Sequence, residues 1–177
     1  MLAPMLTLSL LRHAKSSWAN LELDDHERPL AKRGAKAIPA LAKFIRQEKL
    51  RPSLVLCSDA MRTRATLALL LAELGPPAPR VIYDETLYLA SPETILAAIA
   101  RVDDSDPHVL VVGHNPGLHA LALELVGEGD RKALAMLAQE FPTGALAVFS
   151  FDAASWQEVR NASGHLEQYT TPRLLAS

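Results

Sequence analysis

A single cysteine, no surplus of either charge and no apolar run long enough to cross a bilayer set the first limits on this chain of 177 residues. Cys57 stands alone, so no intrachain disulfide can form, and the paired-cysteine motifs of zinc and redox sites are absent. Lys and Arg number 18 against 20 Asp and Glu, a formal net charge of -2. That balance provides no overall basic field, so neither bulk nucleic acid nor an anionic membrane surface is an expected partner. A local basic pocket is compatible with it. The apolar opening, Met1 to Leu11, stops at Arg12, has no basic region ahead of it and is followed by no small-residue cleavage signal. Its stretch from Leu6 to Leu11 reads as a buried first strand, and the expected location is the cytoplasm. No repeat, charge block or linker divides the sequence, so residues 1–177 are expected to form one domain. With 49% hydrophobic and 21% charged residues, disorder and low-complexity classes are excluded.

What is present alternates in type. Leu54–Cys57 and Val109–Val112 are short continuous apolar runs, and Leu6–Leu11 is apolar but for Thr7 and Ser9, the pattern of strands buried on both faces; Val81–Tyr83 is a weaker fourth. Helical segments fall between them. Ile38, Leu41, Phe44 and Ile45 sit at helical spacing within 31–48, with Pro39 as a kink or second start. The segment 60–74 closes at Gly75, and Ser91-Pro92-Glu93 opens a helix running to Ala100. Further helices run from Pro116-Gly117 to about Val126, where Gly127 ends the pattern, and over 131–139. Ala145–Phe151, Gln157–Val159 and His165–Tyr169 are strand candidates in a β-rich tail. The order predicts a three-layer α/β sandwich, a mostly parallel central sheet with helices on both faces.

Ligands of such sheets collect beyond the carboxyl ends of the strands. Arg12 and His13 follow the first strand, Ser58-Asp59-Ala60-Met61-Arg62 the second, and Gly113-His114-Asn115-Pro116-Gly117 the fourth. Taken singly, Arg12 or Arg62 is ordinarily a surface salt-bridge residue, and His13 or His114 a turn or half-buried polar residue. Two arginines and two histidines sent to one sheet edge would repel each other unless an anion joins them. Helix N-termini at the same edge favour oxyanions, and the guanidinium fork matches a phosphoryl group. Phosphate is the expected ligand.

The stretch from Leu11 to Trp18, Leu-Arg-His-Ala-Lys-Ser-Ser-Trp, resembles the opening motif of the histidine phosphatase superfamily, in its SixA-like phosphohistidine phosphatase branch. The wider superfamily has Arg-His-Gly where this chain has Arg-His-Ala. The likeness continues through Asp25-His26-Glu27-Arg28-Pro29-Leu30, Arg33-Gly34, Ser58 to Arg62 with Thr66, Val111 to Gly117, and Pro142-Thr143-Gly144. The resemblance implies a phosphoglycerate mutase-like sandwich and a covalent phosphohistidine intermediate. His13 would be the nucleophile, Arg12 and Arg62 the clamp on the equatorial oxygens, and His114 a donor to the phosphoryl oxygen. Lys15 is a further phosphate-binding candidate, with plain solvent exposure as its alternative.

No general acid is assigned. Glu85, Asp24 and Asp25 are weak candidates, each ordinarily a solvated loop carboxylate. A weak acid suits phosphohistidine, because imidazole leaves more readily than an alkoxide. No insertion is large enough for a lid, and an open pocket admits a histidine displayed on another protein. Trp18 is expected at the edge of the core and Cys57 within it. No cofactor is expected. A metal held by His13, His114 and Asp25 is disfavoured by the neighbouring arginines. The expected function is therefore a metal-independent phosphatase acting on phosphohistidine in a protein. A phosphatase of small phosphate esters, or a phosphate-recognition module without turnover, are the alternatives.

Overall fold

Apolar side chains alternating along short strands need cover on both sides, and the fold supplies it with two helical layers. The computed structural model describes residues 5–177. Strands β1 (Met5–Arg12), β2 (Leu54–Ser58), β3 (Arg80–Asp84), β4 (His108–Gly113), β5 (Val126–Gly129), β6 (Leu146–Asp152) and β7 (Gly164–Thr170) form one sheet in the order β3-β2-β4-β1-β6-β7-β5. β1 to β4 are mutually parallel, β6 runs antiparallel to β1 and β7, and β5 is parallel to β7. The sheet is thus mostly parallel, as the sequence predicts.

Helices α1 (Lys32–Gln47), α2 (Met61–Leu74) and α6 (Pro172–Leu175) cover one face, and α3 (Pro92–Ala100), α4 (Gly117–Leu125) and α5 (Arg131–Gln139) the other. Leu6, Leu8 and Leu10 of β1 and Val109 and Val111 of β4 enter the α3–α4 core, while Leu11, Leu110 and Val112 face α1 and α2. Each fully buried Leu or Val contributes about 1.5–3 kcal/mol relative to exposure. Ile38, Leu41, Ala42 and Ile45 of α1 are buried at i, i+3, i+4 and i+7, the inward stripe of an amphipathic helix that continues through Pro39. Ser91 Oγ caps α3 by accepting from Thr94 N–H, and Asp130 caps α5 from Ala133 N–H.

Two parts of the tail depart from expectation. Gln157–Val159 is not a strand: Trp156–Glu158 is a turn of 3-10 helix. Fully buried Trp156 fixes it, donating from Nε1 to Asp106 O at 2.8 Å, while Ser155 Oγ accepts from Gln157 N–H. Gly127 does not simply end α4, since it lies inside β5, paired with β7. A side chain there would meet Ala162 O at 2.2 Å, so only glycine permits the approach.

The consequence for function is geometric. The carboxyl ends of β1, β2 and β4 lie side by side, and the segment leading into antiparallel β6 starts at that same edge, opposite Leu11.

Candidate active site

Three strand ends and one preceding turn build a single cluster. β1 ends on Arg12 and delivers His13, whose backbone N–H donates to Gly113 O of β4 at 3.1 Å. Gly144 N–H, ahead of β6, donates to His13 O at 2.9 Å, at a φ of 78° that suits glycine. β2 ends on buried Ser58, and α2 begins three residues later, placing Arg62 in its first turn. Ala14 N–H donates to Thr66 Oγ1 at 3.0 Å, and Thr66 Oγ1 donates to Arg62 O at 2.7 Å, tying α2 to the segment after β1. His114 follows β4 directly.

The histidines are neutral, and their tautomers can be read from their partners. His13 is buried, and its ring Nδ1 donates to Ala14 O at 2.8 Å. Nε2 therefore carries the lone pair, and it accepts from Arg62 Nε at 3.4 Å. Burial, and then the charges of Arg62, Arg12 and Arg28, hold the His13 pKa down to about 4. The His114 ring lies 5.4 Å from that of His13, and its Nε2 is 2.7 Å from Ser58 Oγ. His114 Nε2 is the one acceptor that meets the Ser58 hydroxyl hydrogen among the described residues, while the same oxygen accepts from Ala60 N–H at 3.4 Å; donating to Nε2 leaves the imidazole proton on Nδ1. Burial, then Arg62, takes the His114 pKa down to about 3. Its Nδ1 and Arg12 Nε are buried and have no hydrogen-bond partner among the described residues. Buried donors of this kind are costly unless an acceptor meets them.

Positive charge at the site therefore resides in guanidinium groups. Arg12 Nη1 donates to Phe141 O at 3.2 Å, an oxygen that also accepts from Asn115 Nδ2 at 2.7 Å. Arg62 Nη1 donates to Asp25 O at 2.7 Å, and Nη2 to Asp25 Oδ2 at 3.1 Å. Buried Arg28 donates from Nε to Asp25 Oδ1 at 3.1 Å and lies 3.4 Å over the Trp18 ring. Tyr88, just past the turn that follows β3, donates its hydroxyl to Asp25 Oδ2 and meets the His114 ring edge-on at 5.4 Å. The Tyr88 hydroxyl, then Arg62 and Arg28, hold the Asp25 carboxyl below the usual range. Asp25 is consequently an ionised acceptor that orients two arginines, the opposite of a proton donor.

Four sequence candidates, Arg12, His13, Arg62 and His114, come together. Lys15 is exposed next to them, with its backbone against α1: a side chain at Gly34 would meet Lys15 O at 2.2 Å. Glu85 and Asp24 are exposed and bond none of the four. Trp18, expected at the edge of the core, is 64% exposed because its face is occupied by Arg28 rather than by apolar neighbours. Cys57 is buried, and burial pushes its thiol up to about 12, as a small core residue. Among the described residues no group of three or more His, Cys, Asp or Glu is arranged to hold a metal ion. No helix among them is long and apolar enough to cross a membrane. Sequence reasoning missed Tyr88 and gave Ser58 no role. The position of Ser58 at the end of a buried strand was the available signal.

Residues 8–88 match the family model described as histidine phosphatase superfamily (branch 1). A structure from Nakamurella multipartitia named for the phosphohistidine phosphatase SixA is 32% identical, covers 97% of this chain and 99% of its own, and superposes with a TM-score of 0.80. The chain belongs to the histidine phosphatase superfamily. Within it the chain is SixA-like: a second structure of that name, from Agrobacterium tumefaciens, is 29% identical over 94% of this chain and 99% of its own, with a TM-score of 0.77. An uncharacterized protein of Mycobacterium leprae is 36% identical over 92% of this chain and 100% of its own length. Phosphoglycerate mutase from Bacillus anthracis, 12% identical over 98% of this chain and 96% of its own with a TM-score of 0.68, shares the fold of this histidine phosphatase.

Proposed function

We propose that this histidine phosphatase removes the phosphoryl group from phosphohistidine in a protein, by way of a phosphorylated His13. One observation carries the reading: His13 is neutral, its Nδ1 proton is committed to the Ala14 carbonyl, and its free Nε2 faces Arg62 Nε at 3.4 Å. A nucleophilic imidazole needs such an unprotonated nitrogen. Nε2 attacks phosphorus in line, forming the new P–N bond as the substrate's P–N bond breaks. Arg12 and Arg62 hold the equatorial oxygens, and His114 donates from Nδ1 as charge moves across the group. Phosphoryl transfer depends mainly on this kind of positioning and electrostatic stabilisation. The departing imidazole takes up a proton from solvent. Water then attacks the phosphoenzyme, frees inorganic phosphate and restores His13. The guanidinium groups supply the charge, so the proposed reaction is metal-independent.

The same reading treats residues 1–177 as one domain without a lid. The longest strand-to-helix connection, 13–31, folds back through the Ser16–Leu30 bridge. It also places the protein in the cytoplasm, where the unpaired thiol of Cys57 is at home.

Trapping tests the proposal. Protein mixed with a phosphohistidine donor and quenched in base should carry label on His13, and His13→Ala should lose both label and turnover. Label on another residue, or full activity of the variant, would reject it. Comparing kcat/KM for that donor with a panel of phosphomonoesters tests the substrate class, and activity lost to EDTA would favour a metal.

A further inference from the structure

Next to the cluster around His13, a groove of about 670 Å³ runs between the start of α1, the segment ahead of β6, and α6. Ala14 and Lys15 form part of its wall, so it opens from the residues that follow the candidate nucleophile. Its charged side chains are Lys15, Arg33, Lys36 and Arg173 against the single carboxylate of Glu140. Arg173 pairs with Glu140 at 3.2 Å. Among the described residues, Lys15, Arg33 and Lys36 have no acidic partner in ion-pair range. Unpaired cations grouped this way, on a chain of net charge -2, are a local feature with a sign of its own. The uncapped N-terminus of α1, which enters from Ala31, adds partial positive charge to the same wall. The wall is fixed relative to His13, because α1 packs at Gly34 directly against the Lys15 backbone.

A second observation separates a protein from a small polyanion as the occupant. The connection between His13 and Asp25 exposes Trp18 to 64%, Leu21 to 85% and Leu23 to 39%. A small anion gains nothing from such side chains, whereas a protein surface buries them. We propose that the groove receives an acidic segment of the phosphorylated partner protein and holds it while the partner's phosphohistidine reaches His13. This rests on the phosphohistidine reading above and adds to it the chemistry of the partner. Charges at the rim of an interface act chiefly through encounter rate and salt dependence.

The test uses the full chain and two probes: phosphoramidate, and a protein of acidic surface phosphorylated on one histidine, prepared also with its flanking carboxylates changed to amides. The variant Arg33→Glu/Lys36→Glu alters exposed groove residues and none of the groups around His13. It should raise KM for the acidic donor about tenfold or more with kcat within about twofold, and leave phosphoramidate turnover unchanged. Wild-type KM should rise with salt, and that rise should disappear both in the variant and with the amide donor. Should charge reversal impair folding, judged by the urea midpoint, Arg33→Gln/Lys36→Gln should give the same pattern at smaller amplitude. An unchanged KM for the acidic donor, or an equal loss on phosphoramidate, overturns the groove alone. Wild-type protein that turns over phosphoramidate but not the donor overturns the phosphohistidine-protein reading, and the groove with it.

Discussion

Acidification is the perturbation that bears most directly on the charge state of the site. His13 and His108 are each held to a pKa of about 4, and His114 to about 3, chiefly by burial. All three are neutral in the folded protein at pH 5, while an unfolded chain titrates them near their ordinary value of about 6.5. Between that value and the folded pKa the unfolded state binds more protons, so stability falls as pH falls. From pH 7 to pH 5 each histidine removes about 2 kcal/mol, and the three together set an upper bound of about 6 kcal/mol. Asp25, with a depressed carboxyl, adds loss in the same direction at still lower pH. His26 opposes them, because Asp59 and Glu27 raise its pKa, but it lies at the surface and its effect is small. With a urea slope of about 2 kcal/mol/M, the midpoint should drop by up to about 3 M between pH 7 and pH 5. His108 bonds Ser9 Oγ at 2.8 Å near the amino ends of the strands, remote from the cluster, so His108→Gln should shrink the drop by about a third. NMR of the imidazole C2 protons should show no midpoint above about 5 for His13 or His114. Midpoints of 6 or more, or a loss below about 1 kcal/mol, would refute the burial argument.

Two further predictions concern groups that act through others. Asp25→Asn keeps the shape but removes the charge that orients Arg62 and Arg28, so the urea midpoint should fall and kcat/KM should drop about tenfold under conditions where the variant stays fully folded, a loss that a purely structural role would not produce. Ser58→Ala deletes the hydroxyl that fixes the His114 tautomer. A drop in kcat of about tenfold or more, with Ser58→Thr restoring part of it, is expected from steady-state kinetics.

The parts of the fold legible in the sequence were those where local pattern and tertiary demand agree. β2 and β4 carry continuous apolar runs, and Leu6–Leu11 of β1 is apolar but for Thr7 and Ser9, because helices cover both of their faces. β5 is Val-Gly-Glu-Gly, a poor strand by propensity, and forms because β7 offers it an edge. The misread Gln157–Val159 lies between turns as a short strand would, yet long-range bonds from Trp156 to Asp104 and Asp106 decide its conformation. At the site, Arg12, His13, Arg62 and His114 could be placed because each ends a strand, directly follows one or lies in the first turn of the helix after one. Asp25 and Tyr88 come from the longest connection and from the turn after β3, and only folding brings their side chains together. Trp18 was misjudged because a large apolar residue near a strand end usually packs inward, whereas here Arg28 takes its face.

The clustering of two arginines and two histidines looked, in sequence, like a meeting of four cations. Folding resolves the repulsion in two different ways, and the difference matters for chemistry. A guanidinium keeps its proton at any ordinary pH, so Arg12 and Arg62 can only be balanced, and Asp25 does this for Arg62 through Oδ2 at 3.1 Å. An imidazole can shed its proton instead, and burial beside those same arginines drives it to do so. In the proposed reaction one arrangement thus supplies both the charge that attracts a phosphoryl dianion and the lone pair that attacks it. In that reaction Asp25 also works against the ligand, competing for Arg62, while its charge limits how far the His114 pKa is depressed. Asp25→Asn should therefore lower the His114 midpoint even as it misaligns Arg62. A rise in that midpoint would mean that Asp25 does not act on His114 through its charge.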